Sequence, residues 1–216
     1  MFESIELQNV MPETLPEAFG QHSEVWNSQL RIGRGEQVLV SAASGKGKST
    51  LIGILYGLKN NFSGSCLFNG RDTRKFSASS WSRLRSSDIS IVFQDLRLFP
   101  DLTVEDNLRL KGNLNQTGFS MQDAEEMCGL LGVAGYMKRP CATLSYGERQ
   151  RVAIVRALIQ PAGLVLMDEP FSHLDRANAE KALELILLKT ASRKAALLIT
   201  SLGQDYGWKY DRIVAL

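Results

Sequence analysis

Gln37-Val38-Leu39-Val40-Ser41-Ala42-Ala43-Ser44-Gly45-Lys46-Gly47-Lys48-Ser49-Thr50 runs a short apolar segment straight into a loop of serine, glycine and lysine. The apolar run has the length of a buried strand. After the loop, Leu51, Ile52, Leu55 and Leu58 recur at helical spacing, and Gly57 marks the expected end of that helix. Strand, glycine loop and helix in immediate succession favour an anion. Gly45 and Gly47 accept torsions that a Cβ hinders, so successive N–H groups can converge on one negative group. The helix N-terminus adds its dipole to the same point.

Working outward, residues 3–10 and 88–93 read as strands, and residues 11–22, with Pro12, Pro16 and Gly20, as irregular. Residues 163–167 and 195–200 are continuous apolar runs, as expected of parallel strands covered on both faces. Strands alternating with helices predict an α/β fold with a mostly parallel sheet and ligands at the carboxyl ends of its strands. The stretch from 96 onward is richer in polar and helix-forming residues and predicts a helical subdomain over 96–160.

Leu144-Ser145-Tyr146-Gly147-Glu148 precedes an apolar strand, Leu164-Val165-Leu166-Met167, that ends in Asp168-Glu169. The glycine loop, then this pentapeptide, then the strand ending in Asp-Glu, in that order, resembles the ATPase subunit of ABC transporters. The resemblance runs from Glu3 to Leu216. It implies a P-loop NTPase with a RecA-like core, an N-terminal antiparallel β part and an inserted helical subdomain, all within one ABC ATPase domain over 1–216. From Leu67-Phe68-Asn69-Gly70-Arg71-Asp72 through Gln94, the chain looks most like the lipoprotein-release and macrolide-export type.

The resemblance assigns roles residue by residue. Ser44, Gly45, Lys46, Gly47, Lys48, Ser49 and Thr50 match the Walker A loop, with Lys48 on the β- and γ-phosphates of ATP and Ser49 on Mg²⁺. Asp168 matches the Walker B aspartate that holds the metal, and Glu169 the general base that polarises the attacking water. Gln94, in Phe93-Gln94-Asp95, would meet Mg²⁺ or water and sense a membrane partner. Leu96, Leu98 and Phe99 would either line a groove for a short helix of that partner or pack in the core. Ser145, Tyr146, Gly147 and Glu148 match the signature that binds ATP held by a second protomer, and Asp175 the loop crossing that interface. Ser145-x-x-Glu148 is also a capping box opening a helix. For the aromatic residue that stacks on adenine, Phe19 is preferred over Trp26, because Trp26 reads as the start of a strand.

Four departures stand out. Ala42 replaces the loop's first glycine, Tyr146 replaces a signature glycine, and His173 stands where a small residue is common. Thr200-Ser201-Leu202 occupies the place of Thr-His-Asp, so Ser201 takes the position of a catalytic histidine. Serine can donate a hydrogen bond but carries no charge near neutral pH. Loss of a positioned acid–base partner costs on the order of 10²–10⁴ in rate.

Composition bounds the rest. Of 216 residues 44% are hydrophobic and 22% charged, ordinary for a globular chain, and the net charge of +2 argues for no nucleic acid partner. No apolar stretch reaches the roughly 20 residues that span a bilayer, and the N-terminus lacks a signal-peptide pattern. Cys66, Cys128 and Cys141 form no CxxC pair and read as buried thiols of a reducing cytosol. With only His22 and His173, no histidine metal site is expected. The chain ends at Leu216, soon after its last expected strand, which fits either a minimal or a shortened subunit.

The expectation is therefore a cytoplasmic ATPase subunit on the inner face of a bacterial membrane. It would pair as a homodimer or with a second ABC subunit around two ATP–Mg²⁺ and power a separate permease. The alternative is a nucleotide-gated switch that binds ATP but hydrolyses it slowly, motivated by Ala42, Tyr146 and Ser201. A soluble ABC protein acting on DNA or ribosomes lacks support, since there is no second cassette, coiled-coil arm or strongly basic face.

Overall fold

The computed structural model describes residues 1–114 and 120–216; residues 115–119 of the expected helical stretch lie outside the described residues. Two sheets form. β1 (Ser4–Pro12), β2 (Gln29–Gly33), β4 (Phe62–Phe68) and β5 (Arg71–Asp72) make an antiparallel sheet of order β2-β1-β4-β5. β3 (Gln37–Ser41), β6 (Ile89–Val92), β7 (Leu164–Asp168), β8 (Ala196–Ser201) and β9 (Arg212–Ala215) make a parallel sheet of order β6-β7-β8-β3-β9. β1 runs two residues past the expected end, through Pro12, before the irregular segment begins.

The parallel strands read as continuous apolar runs because both faces are covered, and the period of two sorts their residues. Val38, Val40, Leu164, Leu166, Ala196 and Leu198 pack toward the antiparallel sheet and α1 (Lys48–Leu55). Their neighbours Leu39, Val165, Met167, Leu197 and Ile199 pack into a second core with helical residues. That second core takes side chains from α3 (Val104–Asn113), α4 (Met121–Leu130), α5 (Tyr146–Ile159) and α6 (Arg176–Arg193).

Local signals set the helix ends. Thr103 and Asp106 close a capping box on α3, and Ser145 with Glu148 does the same for α5. α5 stops at Gln160, whose extended backbone precedes Pro161. Arg85, on α2 (Ala78–Ser87), donates to the Tyr56 and Gly57 carbonyls at the end of α1. Arg85 thus ties α2 to the end of α1. The thiols are buried, and desolvation pushes Cys66 and Cys128 up to about 12. Among the described residues no helix is long and apolar enough to cross a membrane.

Because β8 lies between β3 and β7, the carboxyl ends of all three strands share one edge: Ser41 is in register with Ser201, and Asp168 with Thr200. The segments leaving that edge carry the candidate site.

Candidate active site

The loop leaving β3 reaches α1 at Lys48, with Gly47 as N-cap at φ +101°. A Cβ on Gly47 would lie 2.7 Å from Leu15 Cδ1 and 3.2 Å from Trp26 Cζ2, so both torsion and space demand glycine there. Trp26 is fully buried beneath the loop and donates from Nε1 to the Lys46 carbonyl at 3.3 Å. It does not begin a strand, since β2 starts at Gln29. Phe19 is half-buried in a 3₁₀ turn, with the Lys46 ammonium 4.1 Å from its ring centroid. Phe19 therefore lies against the loop and Trp26 braces it from below. Leu15, which sequence reasoning missed, covers Gly47. Ala42 is buried and its N–H bonds the Ser201 carbonyl at 3.1 Å, so its methyl group is accommodated.

Lys48 is 5% exposed and donates to the Ala42 and Ala43 carbonyls at 2.9 and 3.0 Å. Its Nζ lies 3.2 Å from Glu169 Oε1. All three donors of this buried ammonium thus have partners, two of them carbonyls of its own loop, and a phosphate oxygen would have to displace one of these to be bound.

Asp168, the last residue of β7, is 4% exposed. Burial raises its pKa, against the nearby Ser49 hydroxyl and the hydrogen bond from Thr200, which lower it; the Glu169 charge raises it further and Lys48 lowers it. Thr200 Oγ1 donates to Asp168 Oδ1 at 2.8 Å and accepts from the Glu169 N–H at 3.1 Å. Glu169 has φ +48°, which breaks the strand alternation and lets its carboxylate reach Lys48. Gln150 of α5 donates to the Glu169 carbonyl at 3.1 Å and accepts from the His173 N–H at 3.2 Å. Neither Thr200 nor Gln150 was singled out from sequence.

Ser49 Oγ donates to Gln94 Oε1 at 3.2 Å, joining the phosphate loop to the segment after β6. That segment carries two successive left-handed residues, Leu96 (φ +60°) and Arg97 (φ +46°). Arg156 of α5 holds both through their carbonyls at 2.6 Å. The three residues weighed for a partner groove separate here. Leu96 is buried in the core and Leu98 packs partly against it, whereas Phe99 is 57% exposed. A cleft of about 720 Å³ opens at this junction, lined by Ser49, Gln94, Asp168 and Tyr146 among others.

Ser145 caps α5, accepting from the Glu148 N–H while the Glu148 carboxylate accepts from the Ser145 N–H at 2.7 Å. Tyr146 does not stand free in solvent. Its hydroxyl donates to the Gln94 carbonyl at 2.7 Å, and its ring lies 4.2 Å from that of His173. A Cβ on Gly147 would meet the His173 carbonyl at 3.0 Å, so the signature turn and the loop before α6 are in close contact. His173 is exposed, with Nδ1 2.9 Å from Ser172 Oγ. Asp175 is the N-cap of α6, accepting from the Asn178 N–H at 2.8 Å.

Ser201 corrects an expectation. It is 1% exposed, and its hydroxyl donates to the Gln204 carbonyl at 2.6 Å while accepting the Gln204 N–H at 2.9 Å. The hydroxyl closes a turn and is not directed at Glu169 as a replacement for histidine.

The side chains fit the groups expected of them. The glycine loop, the α1 N-terminus and Lys48 suit a polyphosphate. Ser49 Oγ, Gln94 Oε1 and the Asp168 carboxylate are hard oxygen donors of the kind a small divalent cation takes. A protein-family model described as ABC transporter matches residues 25–172. This chain belongs to the ABC transporter family.

Within the family the cassette is 35% identical over 191 residues to the lipoprotein-releasing system ATP-binding protein LolD of Legionella pneumophila (strain Paris), covering 87% of this chain and 83% of that one. LolD of Pseudomonas fluorescens is 32% identical over 190 residues, with 87% and 84% covered. The dimeric structure of MJ0796, a bacterial ABC transporter cassette, superposes with a TM-score of 0.83 at 28% identity over 98% of this chain and 94% of that one. A post-hydrolysis dimer of MJ0796 bound to ADP and Pi gives 0.81 at 26% identity, with the same shares covered. The chain is thus an ATP-binding subunit of the ABC transporter type, in a family of ATPases.

Proposed function

We propose that two copies of this cassette, or one copy and a related subunit, close over two ATP–Mg²⁺ and drive a separate membrane permease. The observation that carries this reading is the convergence of Lys48, Ser49, Gln94, Asp168 and Glu169 on one sheet edge. The 42–50 loop and Lys48 bind the β- and γ-phosphates, with Phe19 flanking the loop on the side proposed for adenine. Ser49, Gln94 and Asp168 would hold Mg²⁺, which when bound neutralises charge between the β- and γ-phosphate oxygens. Glu169 orients a water and takes its proton as the water oxygen bonds to the γ-phosphorus and the bridging oxygen departs with ADP. Ser145, Gly147 and Glu148 at the start of α5 address the nucleotide of the partner cassette, and Asp175 borders that interface. Residues 96–160 act as the helical subdomain that carries this signature.

Phe99 and Leu110 are exposed around a hollow of about 210 Å³ beside Tyr56 and Phe93, a place for a short cytoplasmic helix of the permease. The cassette would then sit peripherally on the cytoplasmic face of a membrane. Its likeness to LolD favours lipoprotein release as the process served.

A second reading, a nucleotide-gated switch with slow turnover, is favoured by one observation: the Ser201 hydroxyl is engaged with Gln204. Steady-state Mg–ATP hydrolysis, with Glu169→Gln as baseline and ATP-induced dimerisation in parallel, tests both. Turnover clearly above the Glu169→Gln baseline supports the motor. ATP-dependent dimerisation with turnover at that baseline, with and without a permease, supports the switch. A chain that binds no ATP overturns both.

A further inference from the structure

We propose that Tyr146 is a positioning residue for Gln94, so that the signature helix of each chain sets the metal-facing loop of that same chain. The inference rests on the ATP–Mg²⁺ reading above.

The loop after β6 closes on itself through the Leu96 and Arg97 N–H groups, which donate to the Phe93 and Asp95 carbonyls, but its backbone is unfavourable. Leu96 and Arg97 are both left-handed, a conformation that a Cβ disfavours. α5 restrains it at two points. Arg156, in the last turn of the helix, donates to the Leu96 and Arg97 carbonyls, and Tyr146, in its first turn, donates to the Gln94 carbonyl at 2.7 Å. The Tyr146 ring is itself fixed by His173 at 4.2 Å and by the Arg149 guanidinium 5.3 Å from its centroid, which aims the hydroxyl. With its main chain held there, Gln94 presents Oε1 to Ser49 at 3.2 Å, in the cleft that also contains Asp168.

A glycine at position 146 has no group that reaches Gln94. The turn that would carry Ser145 and Gly147 toward a second chain's nucleotide here also carries a hydroxyl to its own chain's metal-facing loop. One helix end therefore connects the two composite sites of a dimer.

Tyr146→Phe removes the donor and keeps the ring on His173. A neutral hydrogen bond worth about 1 kcal/mol corresponds to roughly fivefold in an equilibrium. The Mg²⁺ concentration for half-maximal binding of a fluorescent ATP analogue should rise about fivefold in Tyr146→Phe, well beyond any change in binding in EDTA. Amide hydrogen exchange over 94–97, measured without nucleotide, should quicken. Gln94→Ala should shift the Mg²⁺ requirement in the same direction, and the double variant should go no further than Gln94→Ala alone. Unchanged Mg²⁺ dependence and exchange in Tyr146→Phe, or additive effects in the double variant, would overturn the proposal. So would equal weakening of binding with and without Mg²⁺ alongside a lower melting temperature, the mark of a merely structural role. A wild-type chain that binds no nucleotide overturns it together with the function reading; a wild type that binds and a Tyr146→Phe that matches it overturn it alone.

Discussion

Thr200 Oγ1 donates to Asp168 Oδ1 at 2.8 Å from the neighbouring strand, and the same oxygen accepts the Glu169 N–H at 3.1 Å. One hydroxyl therefore orients both acidic residues of the candidate site. Thr200→Val keeps the shape and removes both bonds. Hydrogen bonds to charged groups contribute about 1.5–3 kcal/mol, so the denaturant midpoint should fall by a corresponding amount. Mg–ATP turnover should fall further than nucleotide binding, because the Glu169 backbone loses its anchor. Wild-type turnover in Thr200→Val would show that Thr200 serves only the sheet.

Asp168→Asn should make the nucleotide-free protein more stable at neutral pH while removing Mg²⁺-dependent turnover. Burial raises the Asp168 pKa above the ordinary carboxylate value near 4. Below that ordinary value the carboxyl is neutral in both folded and unfolded chains, and nothing is lost. As pH climbs from about 4 through the raised folded value, the unfolded chain ionises first, and the fold loses stability. Asparagine retains an acceptor for Thr200 and has no such penalty. Thermal melts of both proteins from pH 3 to 8 should converge at the acidic end and separate toward neutrality. A variant less stable than wild type at pH 7 would show that Ser49, Thr200 and Lys48 outweigh desolvation.

Glu148 behaves in the opposite sense. The Ser145 backbone and side chain, then Tyr136, hold its carboxyl below the usual range, so its contribution is present above the ordinary carboxylate pKa and lost as pH falls through the lowered one. Ser145→Ala removes the cap of α5 and should cost about 1 kcal/mol in urea unfolding. Glu148→Gln keeps an acceptor for the Ser145 N–H and should cost less. If the signature also serves a second chain's nucleotide, Ser145→Ala should weaken ATP-induced dimerisation well beyond its effect on the monomer's stability.

What could be read in the sequence follows its physical origin. β7 and β8 announce themselves because both faces of the parallel sheet are covered, which leaves an unbroken apolar run ending in Asp168 or Ser201. The glycine loop is legible because its torsions and close approach to Leu15 exclude other residues at Gly47. Trp26 was misread because Val25-Trp26 resembles the first apolar pair of a strand, whereas its burial comes from a loop that folds over it. Leu96 fits either a partner groove or the core by its residue type; its left-handed backbone turns it into the core. Thr200, Gln150 and Arg156 act through carbonyls and N–H groups of distant segments, and a residue's type says nothing about which backbone groups will face it.

Ser201 marks the limit of reading by position, and it yields the last prediction. A histidine at this place could in principle restore a charged partner for Glu169. The site, however, is 1% exposed, and the hydroxyl satisfies both the Gln204 N–H and carbonyl in a turn that continues to Tyr206 at φ +55°. Ser201→His must open that turn or displace its neighbours, and overpacking a filled site costs about 1–3 kcal/mol. The variant should therefore melt lower than wild type with no gain in Mg–ATP turnover. A second variant that also replaces residues 202–206 with a longer, glycine-rich turn should recover stability and give turnover above Ser201→His alone. A tenfold gain from Ser201→His by itself, without loss of stability, would mean that the turn yields freely and that only the missing imidazole limits hydrolysis.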